Sequence, residues 1–166
     1  DRVVVKWGQD AVTISGMDYL KVADMAADST LNFVGAIILG QMLNPWRFEH
    51  TRLAQMANLF QKYYFVEAKL EYIPSVPATT SGQMLACWDN NPTFAPTGGP
   101  QATMRMLMAH RGRTLAHVFE NFTMPCPMVG QKEFYCDAQG TDLRLNNQAV
   151  LWVALASPVT DGTGNP

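Results

Sequence analysis

Three histidines are the first residues to consider for catalysis or metal binding, and their positions fit neither role. His50, His110 and His117 do not stand at a ligand spacing such as H-E-x-x-H, and none lies beside a plausible nucleophile. His117 falls inside a strand-like run, where a satisfied core or interface imidazole is the commoner role. The chain has no G-x-S-x-G, no G-x-G-x-x-G after a predicted strand and no P-loop. The sequence therefore predicts that the protein is not an enzyme.

The cysteines give no metal site either. Cys87, Cys126 and Cys136 are an odd number without zinc-type spacing. Cys87 stands within an apolar run that reads as a buried strand. We therefore expect reduced thiols that pack as small apolar groups and do not act as nucleophiles.

One acidic position offers a metal hypothesis. Asp89 and Asn90 stand where a buried strand gives way to the loop Asn91-Pro92. Calcium prefers several carboxylate, amide and carbonyl oxygens. One carboxylate cannot form a site alone, so a neighbouring chain would have to complete a calcium site at a subunit interface. The alternative, which we favour, is a turn in which the Asp89 side chain bonds the backbone before Pro92.

The composition bounds the class of protein. The 166 residues suit one domain, and only 16% are charged, against about 25% in an ordinary soluble domain. This deficit suggests a surface that faces other protein, and a well-covered monomeric sandwich is the alternative. The net charge of −2 argues against nucleic-acid binding by bulk electrostatics, and no apolar run is long enough to span a membrane. We expect no membrane partner.

A change of hydrophobic period organises the middle of the chain. Residues Thr51–Phe60 carry apolar side chains at helical spacing, whereas Tyr64–Tyr72 alternates apolar residues with Glu67, Lys69 and Glu71. A Pro/Thr/Gly connection over Ile73–Gly82 then leads to a predicted strand at Gln83–Trp88. A second helix is predicted at Pro100–His110, because proline suits a first helical position and Gly112 can close the helix.

The remaining predicted elements are strands separated by Pro, Gly and Asn breaks. They are Arg2–Trp7, Val12–Val22, Leu31–Leu43, Thr114–Thr123, Lys132–Asp137, Asp142–Leu145 and Gln148–Ser157, before a tail at Pro158–Pro166. Many short strands with non-tight connections favour an all-β fold. We predict an eight-stranded jelly roll, a Greek-key β-sandwich with two short helices in its connections.

The order of these motifs resembles the shell domain of small icosahedral virus capsid proteins of the tombusvirus and sobemovirus type. In that family an Asn-Pro closes strand C, a short helix leads to a Tyr-x-Phe strand D, and a Thr-rich loop leads to strand E and an Asp-containing turn. The matching residues are Asn44-Pro45, Arg52-Leu53-Ala54, Tyr63-Tyr64-Phe65, Leu70–Pro74, Thr79–Gly82 and Asp89–Pro92.

The resemblance implies a structural coat protein that assembles with copies of itself into an icosahedral shell around a viral genome, most simply RNA. It implies residence in the virion and assembly in the host cytoplasm. The family's basic N-terminal arm, which contacts the nucleic acid, has no counterpart in this sequence. Its last strand, I, is expected beyond Pro166. Its calcium-binding members carry a second acid three positions after the first, where this chain has Pro92.

Subunit contacts are expected on the connections between strands and on the charged strand face. The predicted contact residues are Leu53, Gln55, Asn58, Glu67, Lys69, Glu71, Asp89, Met104 and Arg105. A solvated strand face is the plain alternative for the charged residues. A soluble carbohydrate-binding or adhesion module is the alternative function, with Trp7, Trp46, Trp88 and Trp152 as the available aromatics. A cupin-like enzyme would need a histidine-rich metal cluster that the sequence lacks.

Overall fold

The computed structural model describes residues 4–8, 11–20, 29–110, 112–128, 132–136 and 142–160. Ten strands and three α-helices lie within them. The strands are β1 Val4–Trp7, β2 Val12–Ser15, β3 Ile37–Met42, β4 Lys62–Tyr63, β5 Lys69–Tyr72, β6 Ser81–Asp89, β7 Arg113–His117, β8 Phe122–Pro125, β9 Phe134–Tyr135 and β10 Val150–Thr160. The helices are α1 Arg52–Ala57, α2 Pro100–Met108 and α3 Leu143–Asn146, and short 3-10 turns lie at Ser29–Leu31 and Pro45–Arg47.

A four-stranded antiparallel sheet forms the body, in the order β3-β10-β6-β7. Its central strands β10 and β6 are the two longest, and they carry near-continuous apolar runs because both of their faces are covered. The strands β3 and β7 form its two edges. The 3-10 turn Pro45–Arg47 directly follows β3 and is hydrogen-bonded to it through Gln41, so it lies at the edge opposite to β7.

The inner face of this sheet packs on the two-stranded pair β5–β8, and this contact is the sandwich core. Trp88 and Leu151 from the large sheet meet Met124 and Cys126 from the β8 side. Two further pairs, β1–β2 and β4–β9, complete the described strands. The sheets bury alternate residues toward each other, which is the arrangement that the predicted β-sandwich requires.

The outer face of the large sheet is covered by α2. Leu85 and Cys87 of β6 pack with Met104 and Leu107 of the helix. The helix begins with Pro100, and Gly35 lies directly against that residue with φ +81°. A β-carbon built on Gly35 would stand 2.2 Å from the Pro100 carbonyl oxygen, so only glycine allows this approach.

Two predicted strands are broken in the structure. The predicted strand Tyr64–Tyr72 begins only at Lys69, because the Gln148 side chain takes both backbone groups of Phe65. The predicted strand Thr114–Thr123 is two strands, β7 and β8, joined by a turn. Glu120 closes that turn, since its N–H donates to the His117 carbonyl and its carboxylate accepts from the His117 N–H.

Other strand predictions were wrong in extent or type. Asp142–Leu145 contributes to α3 and not to a strand, because the Asp142 carboxylate caps the helix at the Arg144 N–H, 2.9 Å away. Leu31–Leu43 contributes a strand only from Ile37, and Val12–Val22 only to Ser15, with residues 21 and 22 outside the described chain. The predicted tail is partly structured, since β10 runs to Thr160 and Asn32 hydrogen-bonds both backbone groups of Val159.

Candidate subunit-contact surfaces

Asp89 uses both carboxylate oxygens inside its own chain. Oδ1 accepts from the Asn91 N–H at 2.8 Å, which is the turn favoured from the sequence. Oδ2 lies 3.6 Å from His110 Nε2, just beyond the end of α2. The His110 ring also contacts Phe94 edge to face at 4.9 Å between centroids. Asp89 therefore links the end of β6 to the end of the helix that follows it.

This arrangement bears on the calcium hypothesis. Asn90 is exposed, but Asp89 Oδ1 already has a donor on the same chain and Oδ2 faces His110 Nε2 at 3.6 Å. Among the described residues, no group of three or more His, Cys, Asp or Glu side chains is placed to hold a metal ion. The residues of one chain do not fit a calcium site, and calcium at Asp89 and Asn90 stays a prediction that depends on oxygens from a second copy.

A cleft of about 370 Å³ lies between the 3-10 turn Pro45–Arg47 and α1. Gln41 of β3 fixes the turn, because its Nε2 donates to the Arg47 carbonyl at 3.1 Å. Thr51 fixes the helix, because its hydroxyl accepts from the Ala54 N–H at 3.1 Å. The cleft is therefore a formed feature on the β3 flank, lined by Trp46, Glu49, His50, Ala54, Gln55 and Asn58.

The predicted contact residues on α1 lie beside this cleft. Gln55 and Asn58 are exposed, and Leu53 is half-buried. His50 takes a left-handed backbone conformation at φ 63°, the only non-glycine residue among those described to do so. A residue with a β-carbon is uncommon in that conformation and carries strain. The hydrogen bonds of Gln41 and Thr51 on either side hold the loop before α1 in this conformation.

The two predicted contact residues on α2 have different positions. Arg105 is exposed, as a contact residue requires. Met104 is only 9% exposed and packs into the cluster beneath the helix. Met104 shares with Leu107 the face of α2 that meets the sheet. It therefore has almost no surface to offer to a second copy.

The charged face predicted for β5 is present. Glu67, Lys69 and Glu71 are all exposed, while Leu70 and Tyr72 of the same strand turn toward the core. The outward residues of β5 pair across the ladder with Thr123 and Pro125 of β8. Nothing within the described chain covers this face, so both earlier interpretations, solvated face and subunit contact, remain open to experiment.

The sequence did not single out the outward row on β7. Arg113, Leu115 and His117 alternate along that edge strand and are all exposed, and Leu115 is 46% exposed. The helix α2 packs on β6 and β10, so the row on β7 stays exposed. Alternation within a predicted strand was the available signal, but it gave no reason to choose this face as the exposed one.

His117 is exposed on this row, so of the two roles expected for it, core or interface imidazole, the interface role is the one that stays a prediction. Its ring stacks on Phe119, with 5.2 Å between centroids and 14° between planes. A second cleft, of about 460 Å³, is lined by His117 and Phe119 together with residues 78–83 and 157–158. It contains no carboxylate or cysteine, and its serine hydroxyls are engaged elsewhere, Ser81 Oγ with Thr160 Oγ1 and Ser157 Oγ with the Gln83 N–H.

The cysteines behave as packed thiols. Cys87 and Cys126 are buried and unpaired, and burial raises the pKa of each to about 12. The nearby Asp89 carboxylate adds to the raised pKa of Cys87. Burial raises the pKa of the half-buried Cys136 as well. Thiols with raised pKa values are poor nucleophiles at neutral pH, because the thiolate is the reactive form.

The tryptophans do not form a shared groove. Trp88 is 6% exposed and lies in the sandwich core, and Trp152 packs on the outer cluster under α2. Trp46 lines the α1 cleft, whereas Trp7 is exposed on β1. An aromatic platform for sugars needs several rings on one surface, and these four are divided among four places.

The comparison with protein families decides the identity. A family model described as Viral coat protein (S domain) matches residues 5–163. The chain belongs to this viral coat protein family. The match covers nearly the whole chain, so the S domain is the body described above, and the protein is a structural protein of the virus capsid with its place in the virion.

Solved structures agree on the fold. The cryo-EM structure of Mud crab tombus-like virus is similar at 25% identity and TM-score 0.79, over 99% of this chain and 78% of that one. The semi-empty particle of the prawn Macrobrachium rosenbergii nodavirus gives 18% identity and TM-score 0.83, over 99% and 74%. The crystal structure of Cucumber Necrosis Virus is similar at 19% identity and TM-score 0.75, over 97% of this chain and 50% of that one. A search of curated protein sequences finds no match.

These findings confirm the predicted jelly-roll fold. They also confirm the resemblance to small icosahedral capsid proteins that the order of the sequence motifs indicated. They also confirm the predicted function as a structural coat protein of icosahedral shells. Among the described residues no helix is long and apolar enough to cross a membrane.

Proposed function

We propose that this S domain tiles a closed shell around viral RNA and that it does so without any catalytic activity of its own. The family match over residues 5–163 carries the proposal. Identical chains can close into a shell when their contacts are heterologous and the rotations between copies are consistent. The rigid four-stranded sheet and its two flanking edges supply surfaces of that kind.

The nucleic acid is bound mainly outside this body in our proposal. The chain has a net charge of −2, whereas RNA packaging requires cations that release the counterions of the phosphates. We therefore assign the neutralising charge to a basic N-terminal arm that is not part of this sequence. Assembly in the host cytoplasm belongs to the same proposal, and the three unpaired cysteines agree with a reducing compartment.

We also propose that one further strand completes the second sheet. Within the described residues β5 pairs only with β8, and β2 pairs only with β1. The residues that flank β5, Val66 and Ile73, are 72% and 71% exposed. A strand from the segment that follows Pro166 would satisfy the open backbone groups of β5 and cover these side chains.

The test uses the full-length coat protein that contains this domain. Expressed alone, it should sediment as shells visible by negative-stain microscopy, and nuclease-resistant RNA should copurify with them. DNA in place of RNA would contradict the genome assignment. A coat protein that stays monomeric under all assembly conditions would contradict the shell-forming role itself.

A further inference from the structure

We propose that the α1 cleft of one copy receives the outward row of β7 from the next copy, with Leu115 in the cleft against Trp46 and Arg113 facing Glu49. This contact rests on the proposed shell-forming function and gives it a surface. The occupant of the cleft is therefore a second copy of this chain.

The strand order places the two surfaces on opposite flanks of one sheet. β3 is one edge, and Gln41 on β3 holds the turn that carries Trp46. β7 is the other edge and carries Arg113, Leu115 and His117 on one face. A surface on one flank that fits a different surface on the opposite flank gives a heterologous contact, which repeats from copy to copy in a ring.

The chemistry of the two surfaces is complementary. The cleft is lined by the apolar side chains of Trp46 and Ala54, and it holds one carboxylate, that of Glu49, next to the His50 imidazole. The β7 row has an exposed apolar side chain, Leu115, between a guanidinium and an imidazole. Burying Leu115 against an indole is favourable, and interface centres are enriched in aromatic and arginine side chains.

The dimensions of the row fit a cleft of this size. Residues two apart on a strand lie about 6.7 Å from one another on the same face, so a neighbouring copy can present Arg113 and Leu115 to the cleft together. Arg113 is positioned, because its Nη1 donates to the His110 carbonyl at 3.1 Å. The cleft is positioned by Gln41 and Thr51. Both sides are therefore largely preformed, which lowers the entropic cost of the contact.

Charge reversal tests the pairing in the full-length coat protein. Glu49→Arg and Arg113→Glu should each lower the yield of shells at least tenfold, because like charges then face each other. The double variant should restore the yield to within twofold of the wild type. Leu115→Asp should also lower the yield, while the control Leu115→Met should assemble normally. Circular dichroism melts of each unassembled variant check that it is folded.

A cross-link keeps the proposal testable where a variant fails to assemble or fold. The variant Gln55→Cys with Leu115→Cys should give a ladder of linked chains on a non-reducing gel after oxidation, and neither single variant should. If the charge-reversed variants form shells at the same yield as the wild type, this contact is overturned and the proposed function stands. The same holds if shells of the double-cysteine variant give no ladder. A wild-type protein that forms no shells would count against the proposed function and this contact alike.

Discussion

The side-chain amide of Gln148 hydrogen-bonds both backbone groups of Phe65. The Phe65 N–H donates to Oε1 at 2.7 Å, and Nε2 donates to the Phe65 carbonyl at 3.1 Å. Gln148 lies two residues before β10, and Phe65 lies between β4 and β5. The pair therefore fastens the large sheet to the segment that enters the second sheet, in the way that a strand neighbour would.

Replacing Gln148 tests how much this fastening stabilises the fold. Gln148→Leu keeps the size of the side chain but leaves the two Phe65 groups without partners. We expect the free energy of unfolding to fall by about 2–3 kcal/mol, the cost of unsatisfied buried polar groups. Urea denaturation measures it. The matched control, Gln61→Leu at an exposed position, should change stability by less than about 0.5 kcal/mol. Equal midpoints for the two variants would contradict the role of the pair.

The contact between Gly35 and Pro100 predicts a second stability effect. Gly35→Ala adds a β-carbon against a backbone oxygen and also strains φ, so we expect a loss on the order of 3 kcal/mol. Gly99→Ala is the matched control, because Gly99 has φ +89° with nothing within 4 Å of the added carbon. Gly99→Ala should lower the free energy of unfolding only by the cost of backbone strain, about 1–2 kcal/mol. Thermal melts compare the two, and an equal loss in both would rule out the clash.

The buried thiols predict a loss of stability in alkali. Their pKa values, about 12 for Cys87 and Cys126 in the folded protein, lie above the ordinary cysteine value of 9.0 that applies when the chain is unfolded. The unfolded chain therefore releases these protons first, so stability is full below pH 9 and declines as pH rises toward 12. Each thiol contributes a slope of up to about 1.4 kcal/mol per pH unit.

Denaturation between pH 8 and pH 10 checks this slope, and the cysteine variants separate it from the tyrosines, whose pKa in the unfolded chain is about 10. The variant Cys87→Ala with Cys126→Ala should be less stable at pH 8, because it loses packing, but its stability should decline less between pH 9 and 10. An unchanged decline would show that the thiols are not responsible. Tyr63 adds to the effect at higher pH, because burial raises its pKa well above 10.0.

The calcium hypothesis has a direct test. Since Asp89 Oδ1 is hydrogen-bonded to Asn91 and Oδ2 faces His110 of the same chain, we expect assembled shells of the full-length protein to keep their sedimentation rate after dialysis against EGTA at neutral pH. Asp89→Asn shells should behave likewise, because the amide oxygen can still accept from Asn91. Swelling of wild-type shells on chelation, absent in Asp89→Asn shells, would establish a calcium site completed by a second copy.

The sequence by itself determined the two central strands and the helices α1 and α2, whereas α3 was predicted as a strand. Ser81–Asp89 and Val150–Thr160 are apolar on both faces, and that pattern is almost independent of context because both faces are covered. Pro100 and the apolar spacing that follows it placed α2 correctly from its first residue. The Asn-Pro, Thr-rich loop and Asp-turn motifs in their order were sufficient to indicate the family, because each marks a chain break at a set distance from the next.

Only the tertiary structure decided where strands stop and which faces stay open. Gln148 interrupts the alternating run at Phe65 from 83 positions away, and Asn32 extends β10 through Val159 from 127 positions away. No local pattern contains such contacts, since they depend on what the folded chain brings together. The exposed row on β7 and the α1 cleft became candidates in the same way. Their positions on opposite flanks follow from the strand order, which hydrophobic period alone does not specify.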